Sequence, residues 1–84
     1  MLPFTDHALF EMKRRGISEK EVEKVFQQPE QKIELEGDRE IWQTKVVLDS
    51  KTWVIRIVVE LKPRVAIVTV YKSSKVKKYW RADA

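Results

Sequence analysis

The apolar period of this chain changes once, near Pro29. Before that point apolar residues recur at the three-and-four spacing of an amphipathic helix; beyond it they alternate with polar residues, as along a strand. The alternating runs cover Gln31–Glu36, Ile41–Leu48, Trp53–Leu61 and Val65–Tyr71. The breaks between them carry Gly37-Asp38, Asp49-Ser50-Lys51 and Pro63 and are only a few residues long. Such connections join antiparallel neighbours, because a parallel crossover needs roughly a dozen residues or more. The expected fold is therefore α+β, with two N-terminal helices packed on one face of a four-stranded antiparallel sheet, in the order α-α-β-β-β-β. A chain of 84 residues leaves room for one domain. Within it, residues 5–28 read as the helical part, 31–72 as the sheet and 73–84 as a basic, aromatic tail.

Local signals mark the helix ends. Thr5 suits an N-cap and Asp6 suits the positive end of the helix dipole. Ala8, Leu9 and Met12 form the expected buried stripe, and Gly16 ends the helix. Ser18 and Glu21 have the spacing of a capping box, with Ile17 and Val22 placed as a hydrophobic staple. The second helix is expected to bury Val22, Val25 and Phe26 before Pro29 stops it. In the third strand, Trp53, Ile55, Ile57, Val59 and Leu61 share one apolar face, which must meet the helices. Val54, Arg56, Val58, Glu60 and Lys62 share the other, expected to face solvent or a ligand.

Composition excludes several kinds of chemistry. Cysteine is absent, which removes disulfides, thiolate catalysis and Cys-type metal centres. One histidine among scattered carboxylates does not make a zinc site. Nucleotide-binding glycine patterns are absent too, and no metal or cofactor is expected. The apolar fraction of 43%, with eight aromatic residues, argues against disorder. No apolar run is long enough for a transmembrane helix, and Asp6, His7 and Glu11 interrupt any signal-peptide pattern. A soluble, cytoplasmic protein with no membrane partner is expected.

The formal charge of +4 is unevenly spread. Residues 62–84 hold seven Lys/Arg and one Asp, whereas acids outnumber Lys/Arg in the rest of the chain. A basic cluster of this kind attracts phosphate backbones or simply keeps a tail solvated. In Tyr71-Lys72-Ser73-Ser74-Lys75-Val76-Lys77-Lys78-Tyr79-Trp80-Arg81, cations interleave with aromatic rings. Lysine and arginine neutralise phosphates while aromatic rings stack on unpaired bases. The rings serve equally as anchors that fasten the tail to the sheet, the preferred reading for Trp80. Arg56 either pairs with a cross-strand acid such as Glu40 or offers a bidentate fork to a phosphate. His7, Glu11 and Arg14 share a helix face, so His7 is either a helix-start residue or a general base beside a carboxylate. Lys13-Arg14-Arg15 complements the helix dipole and is also placed to meet phosphate.

The segments Thr5-Asp6-His7-Ala8, Met12-Lys13-Arg14-Arg15-Gly16-Ile17-Ser18 and Val68-Thr69-Val70-Tyr71-Lys72, with Lys78-Tyr79-Trp80, resemble the opening and closing signatures of a small prokaryotic domain-of-unknown-function family. That family is similar to toxins of the RelE/ParE superfamily, and the Arg-Gly-Ile-Ser start of the second helix resembles BrnT-type toxins. The resemblance implies N-terminal helices on an antiparallel sheet. It also implies a toxin-like, metal-independent endoribonuclease of a type II toxin–antitoxin system, acting on RNA or the ribosome and blocked by a cognate antitoxin. By the same resemblance Arg56, Lys72, Tyr79 and His7 are the candidate catalytic residues. Arg15, Lys75, Lys77, Lys78 and Arg81 are the candidate nucleic-acid contacts. Glu11 stands where the family often has Arg, which removes a cation from that helix face, and the chain ends Lys-rich where BrnT-type toxins are Arg-rich. A non-catalytic nucleic-acid- or protein-binding module of the same fold is the alternative reading.

Overall fold

The computed structural model describes residues 1–82; the last two positions of the tail lie outside the described residues. Helix α1 spans Asp6–Arg15. The Thr5 hydroxyl accepts from the Ala8 N–H at 3.1 Å, and Gly16 closes the helix in the left-handed region at φ 66°. Helix α2 spans Glu19–Gln27 behind the expected capping box. The Ser18 N–H donates to Glu21 Oε1 at 2.9 Å, and the Glu21 N–H donates back to Ser18 Oγ at 3.2 Å. One detail of α1 differs from expectation. Leu9 is 42% exposed, and the inward position beside Ala8 and Met12 belongs to Glu11. Positions 8, 11, 12 and 15 form the stripe at i, i+3, i+4 and i+7, which leaves position 9 off its edge.

Strands β1 (Gln31–Leu35), β2 (Arg39–Leu48), β3 (Lys51–Glu60) and β4 (Ala66–Ser73) form an antiparallel meander in sequence order. The β1–β2 turn contains Gly37 and Asp38, both at positive φ. The β2–β3 turn is two residues long, Asp49 and Ser50, again both at positive φ, so Lys51 already belongs to the strand. Two successive left-handed residues give the twist that a two-residue hairpin needs. Ahead of α1 the chain pairs with β4: the Ile67 N–H donates to the Pro3 carbonyl at 2.8 Å, and the Thr5 N–H donates to the Ile67 carbonyl at 3.0 Å. This pairing starts α1 beside β4, against which the helix then packs.

The core forms between the helices and one sheet face. Ala8, Met12, Ile17, Val22 and Val25 meet Trp42, Ile55, Ile57, Val59, Ile67 and Val70. Phe26 lies half-buried against Trp42, with ring centroids 5.3 Å apart. A bulge in β4 sets what the other face carries. Val58 pairs with Thr69 but Val59 pairs with Ile67, so Val68 is the extra residue. An extra residue reverses the facing of everything beyond it. Beyond the bulge, Val70 and Lys72 point to the helix side, opposite Ile57 and Ile55, while Tyr71 points to the outer face opposite Arg56.

That outer face is not open along its length, contrary to the sequence expectation. After β4 the chain turns back, and a four-residue helix α3 (Val76–Tyr79) packs on β3. Val54, on the outer face, is fully buried. Trp80 is half-buried, with the Lys45 ammonium 4.3 Å from its ring centroid. It fastens the tail to the outer face instead of entering the core between helices and sheet. No helix among the described residues is long and apolar enough to cross a membrane.

Replacing Ser18 by Ala removes one half of the capping box and should cost about 1 kcal/mol. Urea unfolding should show a lowered midpoint with an unchanged slope.

Candidate functional site

Four residues, one from each strand, lie side by side across the outer face. Gln31 pairs in register with Gln43, Gln43 with Arg56 and Arg56 with Tyr71. Their side chains form a continuous hydrogen-bonded row. The Arg56 guanidinium donates from Nε to Gln43 Oε1 at 2.8 Å, and from a terminal nitrogen to the Tyr71 hydroxyl. The Gln43 amide donates to Gln31 Oε1 at 2.7 Å. Gln43 is fully buried, and Arg56 and Gln31 nearly so.

The C-terminal segment roofs this row. The Gln43 amide donates to the Tyr79 carbonyl at 3.1 Å, and the Gln31 amide donates to the Arg81 carbonyl. The Arg81 N–H returns a bond to Gln31 Oε1 at 3.1 Å. The Tyr79 ring centroid lies 4.3 Å from Arg56 Cζ, and the Tyr71 centroid lies 5.4 Å from it. The two tyrosines meet edge-on at 6.0 Å. Arg56 therefore has two aromatic rings beside it, which favours its charge.

A second arginine reaches the same tyrosine. Arg15, in the last turn of α1, places Cζ 5.9 Å from the Tyr71 ring centroid. Glu11 aims it: Arg15 Nε and an Arg14 terminal nitrogen each lie 2.8 Å from the same Glu11 oxygen. The bonds from Arg15 and Arg14 hold the Glu11 carboxyl below the usual carboxylate range. Burial pushes the Tyr71 hydroxyl above the ordinary phenol range, while the adjacent Arg56 pulls the other way. At neutral pH Tyr71 keeps its proton and is able to donate it.

The structure sorts the residues singled out in the sequence. Arg15, Arg56 and Tyr79 come together around Tyr71. Lys72 does not join them: the bulge turns it to the helix side, where its ammonium lies 5.7 Å from the Trp53 ring centroid. His7 is exposed in the first turn of α1, about 12 Å along the helix axis from Arg15. Lys75, Lys77 and Lys78 are exposed on the roofing segment, and Arg81 is tied to Gln31 only through its backbone. The acid expected beside Arg56 is absent. Glu40 lies across from Val59, on the other face, and accepts from the Trp42 indole at 2.8 Å. Among the described residues Arg56 has no ion-pair partner. Gln31, Gln43 and Tyr71 escaped the sequence reading of the site. The one visible signal was the three-residue spacing of Ile67 and Val70.

A family model described as "Domain of unknown function (DUF4258)" matches residues 4–72. The chain belongs to this family. The match takes in both helices and nearly the whole sheet, with Glu11, Arg15, Gln31, Gln43, Arg56 and Tyr71; Tyr79 and Trp80 lie beyond it. No curated protein and no solved structure matches the chain.

Two measurements probe this DUF4258 site. Gln43→Leu strips Arg56 Nε of its acceptor and should destabilise the protein by about 1–3 kcal/mol in urea unfolding. Glu11 is easier to deprotonate in the folded state than in the unfolded chain. Its contribution is complete above the ordinary glutamate range and is lost as pH falls through its lowered folded value. The stability gap between wild type and Glu11→Gln should be widest near neutral pH and should shrink in acid.

Proposed function

We propose that the protein is a toxin-like, metal-independent endoribonuclease of a type II toxin–antitoxin system, with its site at Arg15, Arg56 and Tyr71. The observation that carries the reading is the meeting of two arginines on one protonated tyrosine, beside a lysine-rich segment, with no carboxylate on Arg56 among the described residues. RNA cleavage without a metal needs such groups. The ribose 2′-hydroxyl passes its proton to water as its oxygen attacks the adjacent phosphorus, and the bond to the 5′-oxygen breaks to leave a 2′,3′-cyclic phosphate. Arg56 and Arg15 stabilise the charge that builds on the phosphate oxygens. Tyr71 delivers its proton to the departing 5′-oxygen. Lys75, Lys77 and Lys78 contact neighbouring phosphates. RNA or the ribosome is the target in this reading, and a cognate antitoxin is the inhibitory partner. Geometry imposed by the target supplies much of the rate, since His7 is too far along α1 to act as base at this cluster.

Binding without cleavage is the second reading. It is favoured by the state of Arg56, which is 7% exposed, bonded to Gln43 and Tyr71, and covered by the Tyr79 ring.

The test is induced expression in a bacterial host with mapping of RNA 5′ ends. Growth arrest with new cleavage ends is expected. Arg56→Ala should reduce cleavage by about a hundredfold or more, and Tyr71→Phe by a comparable factor. Lys72→Ala should leave it unchanged. Folded, soluble protein with normal growth and intact RNA would replace this reading by the binding module.

A further inference from the structure

A buried guanidinium usually has a carboxylate beside it, because burying an unpaired charge is costly. Among the described residues, the groups in contact with Arg56 are neutral: an amide oxygen, a phenol and two aromatic rings. Its cover brings no anion either. From Lys72 to Arg81 the chain contains no Asp or Glu, so the roof adds cations above a cation.

The roof is also lightly held. Helix α3 is four residues long, has no side-chain cap and buries none of its residues fully. Its ties to the polar row are backbone groups bonded by the side chains of Gln31 and Gln43, together with the Tyr79 ring on Arg56. Amide donors that bond a carbonyl oxygen bond a phosphate oxygen equally well, and guanidinium prefers the phosphate.

We propose that segment Lys75–Arg81 is a displaceable cover on a phosphate-binding site formed by Arg15, Gln43, Arg56 and Tyr71, and that an RNA phosphate takes the place of Tyr79. Lifting the cover frees the Gln43 amide from the Tyr79 carbonyl and opens one face of the Arg56 guanidinium. Arg15, whose side chain is 39% exposed, completes the site from α1. The lysines of the displaced segment remain tethered nearby through β4. The choice of RNA as the source of the phosphate rests on the proposed function; the cover and the phosphate site do not.

Amide hydrogen exchange of the full chain, with inorganic phosphate as the probe and chloride of matched ionic strength as the control, tests this. In the closed state the Trp80 N–H donates to the Val76 carbonyl and the Arg81 N–H to Gln31. Phosphate should raise the melting temperature and slow exchange in β3, yet speed exchange at Trp80 and Arg81. Phosphate binding that slows or leaves unchanged the exchange at those two amides would overturn the cover. Tyr79→Ala should tighten phosphate binding about tenfold, because less of the protein is then held closed. No phosphate effect in either wild type or Tyr79→Ala would overturn the site. Arg56→Gln should abolish binding. Arg15→Gln, at an exposed helix end, should weaken it several-fold and serves if the buried substitution unfolds the chain.

A six-residue oligouridylate run in parallel identifies the source. If it opens the cover as phosphate does, the inference stands, and the ribonuclease reading stands or falls separately on the mapped RNA 5′ ends. If free phosphate opens the cover and the oligonucleotide does not bind, RNA is overturned as the ligand.

Discussion

A guanidinium in the middle of a β-sheet face has to be solvated by something. At Arg56 water is largely excluded, and the sheet supplies the solvation itself. The fork extends sideways along the hydrogen-bonding direction, so the groups that can reach it are the cross-strand neighbours, Gln43 and Tyr71. A glutamine amide is suited to the middle of such a row because it accepts and donates at once. Gln43 accepts from Arg56 and passes its own donors to Gln31 and to the Tyr79 carbonyl. Roofing by the C-terminal segment, burial of Val54 and the placing of Trp80 over Lys45 are all consistent with that need. The tail folds back where the sheet offers it donors.

The helix side obeys a simpler rule. Apolar side chains at the helical period meet apolar side chains at the strand period, and the two stripes close a core. The two sides are linked at β4. It is the edge strand that holds the residues before α1, and α1 packs along it. That is why Arg15, on a helix belonging to the core side, comes within reach of Tyr71 on the outer face. Glu11 then sets the direction of Arg15, using an inward position that a purely apolar stripe would have filled.

Elements governed by local rules were legible in the sequence. Ser18 and Glu21 are three residues apart and form the capping box. Gly16 adopts the left-handed cap that its position implied, and the alternation in β3 sends Ile55, Ile57 and Val59 to the helices. Site features that depend on register were not legible. Three residues of register separate Glu40 from a place beside Arg56, and the observed pairing gives that place to Gln43. The bulge at Val68 exchanges the faces of Lys72 and Tyr71, so the cation expected at the site is absent and an unexpected phenol is present. Helix α3 lacks a cap signal and is short, so nothing local announced it; it is held by tertiary bonds from Gln31 and Gln43.

Charge is distributed along the sheet in a way that bears on how an anionic polymer would meet this surface. Glu34, Glu36, Asp38 and Glu40 gather around the β1–β2 turn, and Glu60 lies across from Arg39 at the same end. The Arg39–Glu60 pair, 3.0 Å apart, neutralises only part of that charge. Lys45, Lys72 and the lysines of the roofing segment lie toward the opposite end, near the β2–β3 turn. A polyanion is therefore drawn to the lysine-rich end of the sheet, where it meets exposed Lys75, Lys77 and Lys78 before it meets anything buried. Those lysines sit on the segment that covers Arg56. An approaching phosphate backbone first engages the cover and only then competes for what lies beneath it. The surface that attracts the polymer and the part that must move for the buried arginine to be reached are thus the same seven residues.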